Sequence, residues 1–233
     1  MLIFAMLILM ENDAVVSAFI AAQKKALRSR IKLQLQDFFN SSAHVAEVSR
    51  KASELFLHSS LYKNADIIMA FVSSKLEIDT SLILQAALAD SKKLALPRVI
   101  SDTEMDFFYV RNNLPLKDQL VSSAFGILEP ARFLPKLEPD QFLRKSDAET
   151  AAVAFAPEKT LMLVPGLAFT KNGLRLGKGK GFYDRYFKCC MPSVLCGFCF
   201  DFQIVSDIPH TALDVAVSHL ASSSALIACS HGL

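Results

Sequence analysis

An α/β fold, a three-layer sandwich whose central sheet is mostly parallel and flanked by helices, is what this sequence predicts. Three observations predict it. Short, almost wholly apolar runs of the kind buried on both faces of a parallel sheet recur along the chain, as in DIIMAFV (66–72) and TLMLVPGLAF (160–169). Helical patterns alternate with them, and strand, helix, strand calls for parallel pairing through crossover helices. The 233 residues, 52% apolar and 21% charged, suffice for a substantial core and argue against disorder.

The chain opens on MLIFAMLILM, an apolar run worth about 15 Å of helix against a hydrocarbon core of about 30 Å, too short to span a bilayer. It lacks a basic n-region, and the following ENDAVV offers no small-x-small cleavage site, so it fits a signal peptide poorly. Because Met6 and Met10 lie inside the run, a mis-called start codon explains it, with an interfacial anchor as the lesser alternative. We expect residues 1–12 to be an apolar extension and residues 13–233 to form one domain. A cytoplasmic protein without stable membrane association is expected, as a monomer or weak dimer.

Residues 13 to 38 are good helix formers with Asp13 available as a cap, and Lys24 and Arg28, four apart, share a basic face. DIIMAFV follows as the first strand. TSLILQAALAD (80–90) is a helix that Thr80 or Asp79 can cap, KLALPRVI (93–100) is a second strand and MDFFYV (105–110) a third. From 111 to 158 the prolines at 115, 130, 135, 139 and 157 mark mostly loop, with one short helix. TLMLVPGLAF resumes the apolar strand type, FYDRYFKCC (182–190) reads as a helix and SVLCGFCFDF (193–202) as a strand. No internal repeat, low-complexity tract or linker interrupts this order.

Composition limits the function classes. A net charge of +2 is too small to advertise a nucleic-acid surface, so any attraction for anions comes from local clusters. Cys189, Cys190, Cys196, Cys199 and Cys229 are an odd number and resemble no secreted disulfide framework. Cys196 and Cys199 spell C-x-x-C, but positions three apart on a strand point to opposite faces, and no second C-x-x-C occurs. Both read better as buried apolar side chains than as metal or redox groups. His44, His58, His210, His219 and His231 are scattered without partner spacing.

One stretch stands apart. GLRLGKGKGFYD (173–184) places four of the chain's eight glycines and three basic residues, Arg175, Lys178 and Lys180, between a buried strand ending near Ala168 and a helix starting near Phe182. The carboxyl edge of a parallel sheet followed by a helix N-terminus is an anion site with fixed partial positive charge. Glycines let phosphate oxygens approach the amides, and the three basic side chains add full charges. Asp184 in the first helical turn makes sense as a magnesium ligand, since that ion takes one or two carboxylates plus substrate phosphates; a helix-dipole cap is the alternative. Neither G-x-x-x-x-G-K-[ST] nor G-x-G-x-x-G matches the spacing of Gly177, Gly179 and Gly181. On physics alone the segment is a nucleotide or phosphate loop with magnesium, or a solvated basic turn.

The run VPGLAFTKNGLRLGKGKGFYDRYF (164–187) closely resembles the signature of the 5-formyltetrahydrofolate cyclo-ligase family, also called methenyltetrahydrofolate synthetase. KKALR (24–28), FVSSKLEIDT (71–80), LALPRV (94–99), GILEP (126–130) and FDFQIVSDIP (200–209) resemble further family segments in the expected order, so the resemblance covers residues 20 to 217. It implies an ATP- and magnesium-dependent ring closure of a small-molecule substrate, 5-formyltetrahydrofolate, to 5,10-methenyltetrahydrofolate with release of ADP and phosphate. The formyl oxygen is phosphorylated, N10 attacks and phosphate departs, so no protein nucleophile is required. The alternatives are a folate- or nucleotide-binding paralogue without turnover, and another ATP-dependent kinase or ligase sharing the loop.

Carried over by resemblance, Lys24 and Arg28 match the N-terminal ATP-binding pair. Arg175, Leu176, Gly177, Lys178, Gly179, Lys180, Gly181, Phe182 and Tyr183 match the nucleotide loop, within which Lys180, Tyr183 and Arg175 take the catalytic positions. Val72, Glu77, Lys178 and Phe182 match folate-contacting positions, and Asp184 and Asp214 the magnesium carboxylates. By the residues alone Glu77 could instead cap the helix at 80, and Tyr183 could be a core aromatic. The chain departs from the family in two places. Lys178 stands where many members have arginine, keeping the charge but losing a bidentate fork. Near the C-terminus P-x-E-x-H-D followed by V-D is replaced around Pro209, Ala212, Leu213, Asp214, Val217 and Ser218, with His210 offset from the family histidine.

Overall fold

The computed structural model describes residues 2–123, 126–138, 154–155 and 159–230. Five helices are present among them: α1 (Leu2–Phe38), α2 (Ser42–Leu57), α3 (Ser60–Asn64), α4 (Ser81–Ala89) and α5 (Phe182–Cys189). The first strands are β1 (Ile67–Met69), β2 (Lys93–Val99), β3 (Met105–Tyr109), β4 (Leu120–Ser122), β5 (Leu128–Pro130), β6 (Ala154–Phe155) and β7 (Thr160–Val164). They are followed by β8 (Ala168–Thr170), β9 (Arg175–Leu176), β10 (Cys190–Met191), β11 (Val194–Phe198), β12 (Ile204–Val205), β13 (His219–Ala221) and β14 (Leu226–Ala228).

Seven strands form the central sheet in the order β14-β13-β11-β7-β1-β2-β3. The five inner strands pair in parallel, with Ile68 opposite both Leu94 and Leu161, while β3 and β14 close the edges antiparallel. Side chains alternate between two cores as strand geometry demands. Ile68, Leu94, Leu96, Leu161 and Leu163 join Leu27, Ile31, Phe56, Ile83 and Ala87 of α1, α2 and α4. Met69, Ala95, Met162 and Val164 join Tyr186 and Phe187 of α5 on the other face. Helix, sheet, helix is the three-layer α/β arrangement read from the sequence.

That alternation also separates the cysteines. Cys196 lies in the first core and Cys199 in the second, each fully buried, and burial pushes both thiols well above the ordinary range. The buried apolar reading of both is what the packing supports.

Several boundaries differ from the sequence reading, each for a physical reason. The helix expected over 13–38 begins at Leu2, because the leading Leu, Met, Ala, Ile and Phe residues contain no helix breaker. Helix α2 has no counterpart in that reading. Its core stripe of Val45, Ser49, Ala52, Ser53 and Phe56 includes two serines and an alanine, which mute the apolar period. The run 160–169 is two strands, not one. Pro165 carries no N–H for the ladder, and Gly166 passes so close to the Phe169 ring that a Cβ would lie 2.5 Å from it. Chain therefore leaves the central sheet at Val164, and β8 pairs instead with β9 and β12. In the proline-rich interval the short helix is a 3₁₀ turn at Leu116–Gln119, and β4–β5 is an additional hairpin; residues 139–153 and 156–158 lie outside the described part. No helix among the described residues is long and apolar enough to cross a membrane.

Candidate active site

Where the chain leaves β7 at Pro165, a cleft of about 430 Å³ opens between two kinds of wall. One is built from the glycine loop and α1. The β8–β9 hairpin ends at Leu176, and the loop 177–181 leads into α5. Gly179 and Gly181 take φ of +102° and +70°, which disfavour any side chain, and Gly181 is the left-handed residue at the start of α5 with no side-chain cap. Helix α1 holds the loop from outside. Leu27, Ile31 and Leu35 bury one stripe of it, and Lys24 and Arg28 on the adjacent stripe face the cleft. Arg28 Nε donates to the Gly177 carbonyl at 2.9 Å.

Three of the cations here are neutralised by three carboxylates. Lys24 Nζ lies 2.7 Å from both oxygens of Asp214, Arg175 Nη2 donates to Asp184 Oδ1 at 2.7 Å, and Lys178 Nζ reaches Glu77 Oε1 at 2.6 Å. Lys180 is different. Its ammonium is exposed, lines the same cleft and has no hydrogen bond or ion pair among the described residues. Arg175 Nε is likewise buried without a partner, an unspent donor beside the loop. A site with two uncommitted cationic donors and uncapped first-turn amides has chemistry for a polyanion.

Glu77 serves the cleft and not the helix. Its Oε2 accepts the Ser74 N–H at 2.7 Å, while Asp79 Oδ1 takes the Ser81 N–H at the start of α4. Thr80, the other cap considered, turns its hydroxyl to the Phe71 carbonyl. Tyr183 combines both readings given to it. It lines the cleft, and its ring meets Phe107 and Phe187 edge-on or tilted in the second core. Burial first, then the Glu77 charge, raises its phenol far above the usual range against the pull of Arg175, so it is a proton donor in hydrogen bonds and not a base.

The two carboxylates considered for magnesium are unequal. Asp184 commits one oxygen to Arg175, its other oxygen has no partner among the described residues, and a third of its side chain is exposed. That fits a divalent ion which keeps waters and takes phosphate oxygens. Asp214 has both oxygens on Lys24, and Oδ2 accepts from the Thr211 N–H and hydroxyl as well. Burial alone would raise its carboxyl, but Lys24 and Thr211 outweigh it and hold the group below the ordinary carboxylate range. Asp214 is occupied in holding Lys24. His210 is exposed and, among the described residues, bonds the Ile208 carbonyl, as a surface loop residue.

All the residues matched by resemblance, Val72, Leu176 and Phe182 included, therefore line one cleft. The sequence reading missed the opposite wall. Pro97, Val99 and Met105 from the β2–β3 end, with Ile127, Leu128 and Glu129 from the β4–β5 hairpin, give it an apolar surface containing one carboxylate. LALPRV and GILEP resemble family segments, but an apolar strand end carries no chemical signal that separates a pocket wall from a core.

The model of the 5-formyltetrahydrofolate cyclo-ligase family matches residues 20–222. A Caenorhabditis elegans protein named a probable 5-formyltetrahydrofolate cyclo-ligase is 28% identical over 204 residues, covering 82% of this chain and 91% of that protein. The mitochondrial 5-formyltetrahydrofolate cyclo-ligase of Arabidopsis thaliana is 28% identical over 224 residues, covering 88% and 76% respectively. Since one relative is mitochondrial, similarity assigns no compartment. The solved structure of Aquifex aeolicus 5,10-methenyltetrahydrofolate synthetase superposes with a TM-score of 0.69 at 25% identity, over 91% of this chain and 95% of that one.

Proposed function

The chain belongs to the 5-formyltetrahydrofolate cyclo-ligase family, and on that premise we propose that it closes 5-formyltetrahydrofolate to 5,10-methenyltetrahydrofolate with ATP and magnesium, releasing ADP and phosphate. Residues 13–233 would act as one catalytic domain. The γ-phosphoryl group passes to the formyl oxygen, N10 attacks the activated carbon, and phosphate leaves. Such a reaction asks a protein for positioning and charge neutralisation rather than for a nucleophile.

The residues divide that work. Lys180, uncommitted at the mouth of the cleft, meets the transferring phosphoryl group, while Gly177, Gly179 and Gly181 let the triphosphate lie against backbone amides. Lys24 and Arg28 extend the cationic surface from α1, and Arg175 offers its unpaired Nε. Asp184 would hold magnesium, which when bound neutralises phosphate charge; Asp214 keeps Lys24 in place and is the second candidate ligand. Glu77, Val72 and Phe182 line the folate side, with Lys178 between the two ligands through its contact with Glu77. Tyr183, whose phenol is raised by burial and the Glu77 charge, would act as a hydrogen-bond donor.

The observation that carries this reading is the Lys180 ammonium, without a partner among the described residues, in a cleft where Lys24, Arg175 and Lys178 are each paired with a carboxylate. Purified protein mixed with 5-formyltetrahydrofolate and Mg-ATP should develop the methenyl chromophore. Colour without ATP would reject the proposal, and so would tight folate binding with no colour, the mark of a paralogue without turnover.

A further inference from the structure

Of the four carboxylates that line the cleft, Glu77, Asp184 and Asp214 each sit on a cation, and Glu129 does not. Its one hydrogen bond among the described residues is a long 3.5 Å contact from the Val99 N–H to Oε1. The nearest guanidinium, that of Arg98, is directed elsewhere. Its Nη1 donates to the carbonyls of Pro130 and Ala131, and its plane lies 3.6 Å over the Phe108 ring. Glu129 is thus a half-buried carboxylate on an apolar wall made by Val99, Met105, Ile127 and Leu128, with no protein donor to Oε2 among the described residues. Burial raises its carboxyl above the ordinary range against the Val99 amide and the Arg98 charge, so its ionised form is short of partners.

A half-buried carboxylate on an apolar wall without a cation is partly stripped of water, and it is suited to a ligand that supplies the missing donors. The ligand's chemistry can be read from the site. A polyanion is repelled from this wall, and a free cation would find a single carboxylate there on a surface otherwise apolar, without the further oxygen ligands that it needs. What suits two coplanar carboxylate oxygens on an apolar surface is a flat, neutral heterocycle with two parallel N–H donors. The 2-amino-4-oxopyrimidine edge of a pterin is such a group, through its ring N3–H and 2-amino N–H.

We infer that Glu129 is the residue that selects the pterin, accepting the 2-amino and N3 hydrogens while the ring lies on the apolar wall of β2, β3 and β5. This rests on the cyclo-ligase reading for the identity of the substrate. It gives the GILEP hairpin a specificity role, distinct from the phosphate chemistry of the glycine loop.

The test is a pair of ligands on a pair of proteins. Full-length wild type and Glu129→Leu are titrated with 5-formyltetrahydrofolate and with its 2-desamino-2-methyl counterpart, and separately with ADP. Wild type should prefer the 2-amino compound by about 10- to 100-fold, Glu129→Leu should lose that preference, and ADP affinity should be unchanged. Glu129→Gln, of nearly the same shape, repeats the measurement should the leucine variant not fold. It should retain a reduced preference, since an amide oxygen accepts only one of the two donors well. An unaltered preference in these variants, or an equal loss of ADP and folate affinity, overturns the inference. Failure of the underlying reading would look different: wild type would form no methenyl product from Mg-ATP and 5-formyltetrahydrofolate, whatever the binding ratio.

Discussion

The two walls of the cleft solve opposite problems. On the wall of α1 and the glycine loop, charge is abundant and nearly balanced, with cation and carboxylate paired at Lys24–Asp214, Arg175–Asp184 and Lys178–Glu77. On the wall of β2, β3 and β5, charge is scarce and one carboxylate is left alone. The paired wall is pre-organised in the absence of ligand, since its side chains are already held at fixed positions by their partners. Ligand groups there would replace an existing partner or use Lys180, whose ammonium has none among the described residues. The apolar wall gains most from a ligand that brings its own donors.

Breaking the paired wall should have the largest effect. Lys180→Ala removes the uncommitted ammonium, and kcat/KM for ATP should fall by about 10²- to 10³-fold while folate affinity changes little, as steady-state assays of the methenyl chromophore would show. Equal losses of ATP and folate use would mean that the two walls do not divide the ligands.

An intermediate effect is expected at the Lys24–Asp214 pair. Asp214→Asn leaves a part-buried ammonium without its counter-charge, at a cost of about 1–3 kcal/mol, or roughly 2–4 °C in Tm per kcal/mol. The wild-type carboxyl is depressed in the folded state, so its contribution is present at neutral pH and is lost as pH falls below the usual aspartate value of about 3.9 through the lower folded one. Urea midpoints of the two proteins should therefore differ at pH 7 and converge in acid.

The smallest effect has the opposite sign. Glu129 is raised in the folded state, so it favours folding only when protonated, and that contribution disappears as pH rises through its folded value. Glu129→Gln should slightly raise the Tm of the ligand-free protein at pH 7 and leave it unchanged near pH 4. A lower Tm at pH 7 would show that the carboxylate has a structural partner, and the contrast between the walls would disappear.

Which parts of this were legible in the sequence follows from how each part announces itself. The inner strands β1 and β7 are nearly all apolar because both faces are buried, and the Lys24/Arg28 spacing survives translation into a helix face unchanged. The glycine loop is conspicuous because a backbone at positive φ excludes most other residues at Gly179 and Gly181. Helix α2 was silent because Ser49 and Ser53 occupy its buried stripe, and Ser49 instead accepts the Asp79 N–H. The break at Pro165 was hidden inside a run whose hydrophobicity is continuous across it. The pairing of Lys24 with Asp214, 190 positions apart, follows from the fold and has no local signature. Glu129 was unreadable for the reverse reason: its meaning lies in the cation it lacks.

The adjacency of two stripes on α1 carries a consequence for how this segment can vary. Leu27, Ile31 and Leu35 secure the rod to the core, while Lys24 and Arg28 ride one step around its circumference. Each residue turns the rod by about 100°, so inserting one residue between positions 28 and 31 would leave every side chain present yet carry Lys24 and Arg28 away from the cleft that they line. A change of length here would uncouple anchorage from chemistry.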